Sequence, residues 1–288
     1  MSIPASPPPE AWTEWGGRGT LFHFGHANGF PPGAYRQLLG ELSRSFRVAT
    51  LAARPLWPGS DPGAIDSWRP LAADLQAELD RRHERGGIGA GHSLGSVLSV
   101  LAAVRDPSLF SALVLVDPVI FTGAHSLFWG LFKGLGLGGR LPLIRGARRR
   151  REVFPDLETV RSSYAGKSVF ATWLPKALDD YVRAAFSGNG EGSVALRYPK
   201  AWEARIFEVT PADVWRELRR LPMPILVVRG ARSDTFRPAA ARRIRRELPS
   251  ATVVEMEGCS HFVPMERPRE LAALIVGWCR DRHLLGAS

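Results

Sequence analysis

The sequence predicts an α/β fold, in which helices flank a mostly parallel central sheet and a mainly helical cap interrupts the core. Short apolar runs alternate with amphipathic stretches from residue 20 to about residue 120. The alternation then stops, and residues 121–216 are rich in aromatic residues and glycine with a mostly helical pattern. It resumes in residues 217–288. We therefore predict a core built from residues 1–120 and 217–288, with the cap inserted after the strand that ends near Asp117.

The periodicity of apolar residues gives the individual elements of this core. Short continuous apolar runs are typical of parallel strands that are buried on both faces. The strand candidates are Thr20–Phe24, Phe46–Leu51, Ile88–Ala90, Ala112–Val116, Ile225–Val228 and Ala251–Met256. Helices repeat apolar residues every three or four positions, as Leu71, Leu75 and Leu79 do. The helix candidates are Tyr35–Leu42, Trp68–Arg82, Leu94–Val104, Pro238–Leu248 and Pro268–Arg280.

Length and composition are those of a globular protein. The 288 residues are 45% hydrophobic and 23% charged, which argues against a disordered or fibrous chain. Cys259 and Cys279 are too few for a disulfide framework, so we expect two free thiols in a reducing compartment. Residues 1–10 are proline-rich without the apolar stretch of a secretory signal, and no apolar run is long enough for a membrane-spanning helix. We expect a soluble cytoplasmic protein.

The formal net charge of +10 comes almost entirely from arginine, with four arginines in succession at Arg148–Arg151. Basic chains can bind nucleic acid, but no nucleic-acid motif accompanies this charge, so we expect no nucleic-acid partner. Three interpretations of the arginine run remain open. The arginines form a solvated helix face, they pair with carboxylates such as Glu152 and Asp156, or they attract an anionic substrate or a membrane or lipid surface. The sequence does not indicate an oligomeric state.

The segment Gly91-His92-Ser93-Leu94-Gly95 fits the pattern G-x-S-x-G between a predicted strand and a predicted helix. In that setting the serine lies on a sharp turn, and the two glycines avoid collisions with the neighbouring strand and helix. The turn projects the serine hydroxyl at the N-terminus of a helix, whose dipole favours negative charge. The context therefore predicts Ser93 as a nucleophile rather than a chance turn serine.

A serine nucleophile needs a base, and the base needs a carboxylate that orients it. In this arrangement the chain order is serine, acid, histidine. His261 follows the last predicted strand and Asp234 follows the strand before it, so both lie where side chains converge on one edge of the sheet. We predict a catalytic triad of Ser93, Asp234 and His261. Asp117 is the alternative acid because it also ends a strand, although Asp117-Pro118 is equally typical of a turn.

The tetrahedral intermediate needs hydrogen-bond donors for its oxyanion. One predicted donor is the backbone N–H of Leu94, the residue after the nucleophile. The second comes from the loop after the first predicted strand, which reads His26-Ala27-Asn28-Gly29. We predict the backbone N–H of Asn28 as this donor, with that of Ala27 as the alternative. An ordinary asparagine-glycine turn is the other interpretation of the loop.

With these motifs the chain resembles the α/β-hydrolase family of serine hydrolases with an inserted cap, over residues 20–118 and 221–279. The resemblance implies the α/β-hydrolase fold and a reaction that needs no cofactor. Members of the family often carry His-Gly-x-Pro in the oxyanion loop, whereas this chain has Ala27 at the glycine position. The antiparallel strands that often open the fold must fit before Thr20 or be partly absent. Members that use an aspartate nucleophile are excluded by Ser93.

In such a fold the cap lies over the active site as a lid, and its aromatic residues line an apolar pocket for an acyl or aryl group. The candidate pocket residues are Phe128, Trp129 and Phe132. The alternative interpretation is that these side chains pack the cap onto the core. No histidine or cysteine pair has ligand spacing and no phosphate-binding loop is present, so we predict neither a metal nor a nucleotide site.

The sequence thus predicts an esterase-like or lipase-like enzyme that cleaves a small-molecule carboxylic ester or acyl substrate through an acyl-enzyme on Ser93. The same three residues also serve hydrolysis of a carbon–carbon bond in a diketone, thioester hydrolysis and acyl transfer, and these alternatives stay open. An alternative of another class is a ligand-binding protein that retains the fold without turnover.

Overall fold

A computed structural model of the protein describes residues 7–122, 141–190 and 192–286. Within these ranges the chain forms ten strands. In chain order they are β1 (Trp12–Gly16), β2 (Leu21–Gly25), β3 (Arg47–Leu51), β4 (Gly87–His92), β5 (Phe110–Val116), β6 (Val153–Phe154), β7 (Phe186–Gly188), β8 (Val194–Leu196), β9 (Ile225–Gly230) and β10 (Ala251–Met256). Seven of them form the central sheet in the order β1-β3-β2-β4-β5-β9-β10, and the other three form a small sheet in the order β6-β8-β7.

Helices cover both faces of the central sheet. In chain order the described α-helices are α1 (Arg36–Leu42), α2 (Arg69–Arg81), α3 (Leu94–Arg105), α4 (Pro142–Arg148), α5 (Leu157–Ala165), α6 (Pro175–Ala185), α7 (Lys200–Glu208), α8 (Val214–Leu218), α9 (Pro238–Glu247), α10 (Val263–Glu266) and α11 (Pro268–Arg280). Proline lies in the first two positions of α2, α4, α6, α9 and α11, where its missing N–H removes no helical hydrogen bond. No helix in the described ranges is both long and apolar enough to cross a membrane.

Neighbouring strands of the central sheet are parallel, except that β1 runs antiparallel to β3. β1 is an antiparallel opening strand before Thr20, and it pairs Trp12 with Leu51 at the sheet edge. Every strand and helix predicted for the core is present, with ends that differ by no more than two residues. The predicted fold class is confirmed. Because the strands are parallel, their carboxyl ends meet at one edge, where β4 leads to Ser93 and β5 to Asp117.

Both faces of the sheet are buried, because successive side chains along a strand alternate between two hydrophobic clusters. On β5, Leu113 and Leu115 lie in the cluster that contains side chains of α2, α3 and α9. Val114 and Val116 lie in the cluster that contains side chains of α1 and α11. Burial on both faces explains why β5 has a continuous apolar run rather than an alternating pattern.

The chain between β5 and β9 contains helices α4 to α8 and the small antiparallel sheet in its described part. Helix α6 packs against α1 and against the turn Pro32–Tyr35, and its Tyr181 is fully buried. Helix α7 places Trp202 and Ile206 in the same cluster as α2 and α3. This insertion therefore packs on the core through both clusters. The predicted cap boundaries, residues 121–216, stay a prediction.

Arginines of the run Arg148–Arg151 form ion pairs with carboxylates elsewhere in the insertion. Arg148 pairs with Glu208, and Nη1 of Arg150 lies 2.6 Å from Oε2 of Glu203. Both carboxylates belong to α7 rather than to the neighbouring acidic residues suggested by the sequence. Two of the four arginines thus connect helices within the insertion.

Candidate active site

The turn between β4 and α3 holds Ser93 in a strained backbone conformation. Its φ of 54° and ψ of −111° lie outside the regions that residues with a side chain prefer. The N–H of Ser93 donates to the carbonyl of Val116 on the neighbouring strand at 3.0 Å, which fixes the turn. A Cβ atom on Gly91 would lie 2.3 Å from the carbonyl carbon of Gly95, so this position accepts only glycine. The turn has the features of a nucleophile elbow.

Asp117 and His261 are joined by a hydrogen bond beside this turn. Nδ1 of His261 lies 2.7 Å from Oδ1 of Asp117. The carboxylate is fully buried, and it also accepts from the hydroxyl of Ser233 at 2.6 Å and from the N–H of Gly230 at 2.9 Å. The φ of Asp117 is 43°. Strands β4 and β5 are therefore each followed by a non-glycine residue whose backbone is strained.

Within the described residues, Asp234, the acid preferred from the sequence, makes no hydrogen bond or ion pair with His261. Its side chain is exposed, and its Oδ1 accepts from the hydroxyl of Thr235 at 3.3 Å. The turn after β9 instead points Ser233 towards the site. Of the two candidate acids, the structure thus brings Asp117, the alternative, together with His261, because the backbone turn at that residue directs its carboxylate towards the end of β9 and the loop of His261.

The hydrogen bond to Asp117 determines which nitrogen of His261 can act as a base. A carboxylate only accepts, so Nδ1 of His261 carries the proton of this bond. Nε2 of a neutral imidazole then keeps its lone pair and can take a proton. The side chain of His261 is 15% exposed. Its ring centroid lies 4.6 Å from that of His92, the residue directly before Ser93.

The loop after β2 forms a tight turn. The N–H of Phe30 donates to the carbonyl of Ala27 at 3.2 Å, and Gly29 has a φ of 79°, which favours glycine at this place in a turn. The N–H of Ala27 donates to the hydroxyl of Tyr35 at 3.0 Å. Ala27, the alternative oxyanion donor, is therefore already engaged.

Asn28 is held in place from the insertion. Its Nδ2 donates to the carbonyl of Glu203 at 2.9 Å, and its Oδ1 accepts from the hydroxyl of Tyr198 at 2.8 Å. Glu203 is itself fixed by its ion pair with Arg150. These bonds use the side chain of Asn28 and leave its backbone N–H without an acceptor in the described part of the chain, as is also true of Leu94 at the start of α3.

Four aromatic residues, which we call the aromatic cluster, pack beside His261. They are Phe30, Trp173, Tyr181 and Phe262. The ring of Phe30 lies 5.8, 5.3 and 5.1 Å from the other three rings, in that order, and the ring of Phe262 lies 5.1 Å from that of His261. Two members of the cluster come from the insertion and two from loops of the core. The predicted pocket residues Phe128, Trp129 and Phe132 lie outside the described residues.

Both cysteines are free and buried. Burial raises the pKa of Cys259 to about 11 and that of Cys279 to about 12. They therefore remain protonated thiols, which are poor nucleophiles and poor metal ligands. Within the described ranges, no group of three or more histidine, cysteine, aspartate or glutamate side chains is arranged to hold a metal ion.

Two further histidines, His23 and His26, accept hydrogen bonds from backbone N–H groups near the site. Nε2 of His23 accepts from the N–H of Leu51 at 3.2 Å, and Nε2 of His26 accepts from the N–H of Ala53 at 3.0 Å. Burial lowers the pKa of His23 to about 3 and that of His26 to about 4. Both imidazoles are therefore neutral in the folded protein at neutral pH.

Mild acidification should destabilise the fold through these two histidines and through His92, whose pKa burial also lowers. Their folded pKa values lie below the unfolded value near 6.5, so the unfolded chain binds more protons and stability is lost as the pH falls below that value. We expect urea titrations to show a decrease in the free energy of unfolding on the order of 1 kcal/mol per pH unit for each histidine between about pH 6.5 and 5. His83→Gln, at an exposed position, should leave this slope unchanged. A constant free energy of unfolding across this window would contradict the account.

Sequence reasoning missed Ser233 and Tyr35. Ser233 directly precedes the acid that the sequence favoured, and its hydroxyl instead donates to Asp117. Tyr35 lies in a helical stretch without a motif, yet its hydroxyl contacts both Ala27, in the loop after β2, and His92. Each of these side chains has a partner that is distant along the chain, so no local pattern marks it.

Comparisons with known proteins assign the chain to a family. The model described as the alpha/beta hydrolase family matches residues 21–274. The 2-(acetamidomethylene)succinate hydrolase of Mesorhizobium japonicum is 28% identical over 254 residues, which cover 86% of this chain and 83% of that protein. The rhodomycin D methylesterase of Streptomyces peucetius is 24% identical over 223 residues, which cover 73% of this chain and 72% of that protein.

The fold is also similar to that of solved structures. The crystal structure of E-2-(acetamidomethylene)succinate hydrolase matches with a TM-score of 0.78 at 22% identity, and the match covers 93% of this chain and 94% of that one. The family model spans most of the sequence, and these relatives are named hydrolases and esterases. The chain is a hydrolase and belongs to the alpha/beta hydrolase family.

Proposed function

We propose that the protein hydrolyses a carboxylic ester through an acyl-enzyme on Ser93, with His261 as general base and Asp117 as the carboxylate that orients it. The observation that carries the proposal is the 2.7 Å hydrogen bond between His261 and Asp117 beside the strained turn at Ser93. Acyl transfer needs this combination of a nucleophile on a sharp turn, a base with an available nitrogen and a buried carboxylate behind it. The relative named a methylesterase supports an ester as substrate.

In the acylation step, Oγ of Ser93 attacks the ester carbonyl carbon while Nε2 of His261 takes the serine proton. The carboxylate of Asp117 holds the imidazole ring and stabilises the imidazolium that forms. The carbonyl oxygen becomes an oxyanion, which accepts from the N–H groups of Leu94 and Asn28. Collapse of this intermediate breaks the ester C–O bond, and the leaving alcohol takes the proton from His261.

Deacylation repeats these steps with water. His261 takes a proton from the water molecule, whose oxygen attacks the acyl carbon of the ester on Ser93. The same two backbone N–H groups bind the second oxyanion. Collapse of this second intermediate breaks the bond between the acyl carbon and Oγ of Ser93, Oγ takes the proton from His261, and the carboxylic acid leaves the free enzyme.

We place one organic group of the substrate against the aromatic cluster. Phe30 and Phe262 are partly buried, and Phe262 adjoins His261, so both rings can contact a bound acyl or alcohol group. Apolar and aromatic walls with a few polar groups are typical of pockets for small molecules. Trp173 and Tyr181 complete the cluster from the insertion, which in this proposal forms the lid over the site.

Hydrolysis of p-nitrophenyl esters from acetate to palmitate tests the proposal. We expect turnover by the wild type and a loss of at least about 10³-fold in Ser93→Ala, because binding and the oxyanion donors alone sustain only a residual rate. The acyl length with the highest kcat/KM indicates how long an acyl group the proposed site accommodates beside the aromatic cluster.

The absence of turnover by folded wild type on every ester would overturn the ester assignment. Thioester and 1,3-diketone substrates, assayed in parallel, test the two reactions that use the same residues. A folded protein that binds these compounds but turns none of them over, with or without Ser93, would instead be a ligand-binding protein on a hydrolase fold.

A further inference from the structure

A chain of hydrogen bonds connects the loop after β2 with the loop that carries His261. The N–H of Ala27 donates to the hydroxyl of Tyr35 at 3.0 Å. That hydroxyl lies 2.9 Å from Nδ1 of His92, and Nε2 of His92 lies 2.9 Å from the carbonyl oxygen of His261. Because His92 directly precedes Ser93, these hydrogen bonds join three segments: the proposed oxyanion loop, the turn at Ser93 and the loop that carries His261.

The direction of every bond follows from the two ends of this chain. A backbone N–H only donates and a backbone carbonyl only accepts, so Ala27 donates to Tyr35 and Nε2 of His92 donates to His261. A neutral imidazole has a single N–H, so Nδ1 of His92 accepts and the hydroxyl of Tyr35 donates to it. Each polar atom of the two side chains then has a partner, and each proton has one position.

Burial keeps both side chains in this protonation state. Tyr35 is 1% exposed and His92 is 0% exposed. Burial raises the pKa of Tyr35 well above its ordinary value, and burial together with the nearby His261 lowers the pKa of His92 well below its own. The hydroxyl therefore stays protonated and the imidazole stays neutral. A cationic His92 would also repel the imidazolium that His261 becomes during catalysis.

We propose that Tyr35 and His92 are positioning residues, which hold the oxyanion loop and the base loop in place around Ser93; this inference rests on the ester hydrolysis proposed above. The bond from Ala27 to Tyr35 fixes the peptide next to Asn28, the predicted oxyanion donor. The bond from His92 fixes the backbone of the residue that moves the proton. Small displacements of either loop misalign groups that must act together, which lowers the rate of the chemical step.

A purely structural role for these bonds makes a different prediction. Loss of a buried hydrogen bond lowers stability wherever it lies, whereas loss of a positioning bond also lowers kcat with little change in KM. Thr50 on β3 offers the matched control. Its hydroxyl belongs to a fully buried residue and accepts from Nε1 of Trp15 at 3.0 Å, away from the elbow.

The first experiment compares Tyr35→Phe with Thr50→Val in p-nitrophenyl ester hydrolysis and in thermal unfolding. We expect Tyr35→Phe to lower kcat by about 10- to 100-fold with KM within about twofold of wild type. Thr50→Val should lower the Tm by a similar amount but keep kcat within about twofold. An unchanged kcat in folded Tyr35→Phe, or an equal loss in Thr50→Val, would overturn the inference.

A second comparison holds even if Tyr35→Phe does not fold. The side chain in His92→Gln can accept from Tyr35 and donate to the carbonyl of His261, whereas the side chain in His92→Leu can do neither. We expect kcat of His92→Gln to be at least about tenfold above that of His92→Leu. Equal kcat values in these two variants would show that the hydrogen bonds of His92 do not act on the reaction.

The rate at which a fluorophosphonate labels Ser93 separates this inference from the proposed function. A wild type that is labelled but hydrolyses no ester would defeat the proposed ester hydrolysis alone. The inference would then still predict slower labelling of Tyr35→Phe than of Thr50→Val. Equal labelling rates in the two variants would overturn the inference alone.

Discussion

Asp117→Asn should lower kcat for ester hydrolysis by about 10⁴-fold, whereas Asp234→Asn should leave kcat within about twofold of wild type. An asparagine at position 117 can still accept from Gly230 or Ser233, so the fold should persist. It cannot stabilise the imidazolium of His261, and its amide N–H favours the wrong tautomer of that ring. KM should change little because the aromatic cluster, against which we place the substrate, is unaltered.

The two variants make the same chemical change at the two carboxylates that the sequence offers. Asp117 is fully buried against His261, whereas Asp234 is exposed and bonded to a neighbouring hydroxyl. Steady-state kinetics, with urea unfolding to establish that both variants are folded, checks the prediction. An inactive Asp234→Asn together with an active Asp117→Asn would return the acid to position 234 and contradict the geometry.

Gly95→Ala should lower the free energy of unfolding by at least about 3 kcal/mol. A Cβ atom at this position would lie 2.0 Å from the carbonyl oxygen of Gly25 and 2.2 Å from its carbonyl carbon. Both atoms belong to the backbone of β2, which cannot rotate aside as a flexible side chain can. Strand β2 and helix α3 would have to separate, so the elbow and the oxyanion loop should lose their alignment and activity should fall as well.

Gly277→Ala is the matched control for this steric prediction. Gly277 lies within α11, and a Cβ atom there would meet no heavy atom within 4 Å. Since alanine favours the helix more than glycine does, this change should raise the free energy of unfolding by about 0.5–1 kcal/mol. Urea titrations of both variants give the comparison. A Gly95→Ala protein as stable as wild type would refute the close contact between β2 and α3.

The fold of the core could be predicted because its signals are local. The continuous apolar run of β5 reflects burial on both faces of the sheet. Gly91 and Gly95 flank Ser93 because a Cβ atom at either position would collide with backbone. Pattern and spacing are sufficient for such features. The strands of the small sheet are only two or three residues long, so the insertion was predicted as mainly helical without them.

The choice between Asp117 and Asp234 depends on backbone conformations that the sequence does not show. Each residue follows a strand, so their positions along the chain are equivalent. The φ of 43° at Asp117 turns its carboxylate towards His261, and the turn after β9 presents Ser233 rather than Asp234 to the site. Only the geometry of the two turns separates these candidates.

The supporting hydrogen bonds of the site are long-range. Tyr35 and His92 are 57 residues apart, and Asn28 is 175 residues from Glu203, whose carbonyl it contacts. Packing of the insertion and of α1 on the core brings these residues together. No local motif carries that information, which is why the sequence indicated Ser93 and the loop after β2 as candidates but not the side chains that contact them.

Covalent labelling with a fluorophosphonate, followed by mass spectrometry, tests most directly the central claim that Ser93 is a nucleophile activated by His261. We predict one phosphonyl group per chain, on the peptide that contains Ser93, and none in Ser93→Ala. The labelling rate of His261→Ala should be at least about 10³-fold lower than that of wild type. Label on another residue, or a folded wild type that takes up none, would contradict the account.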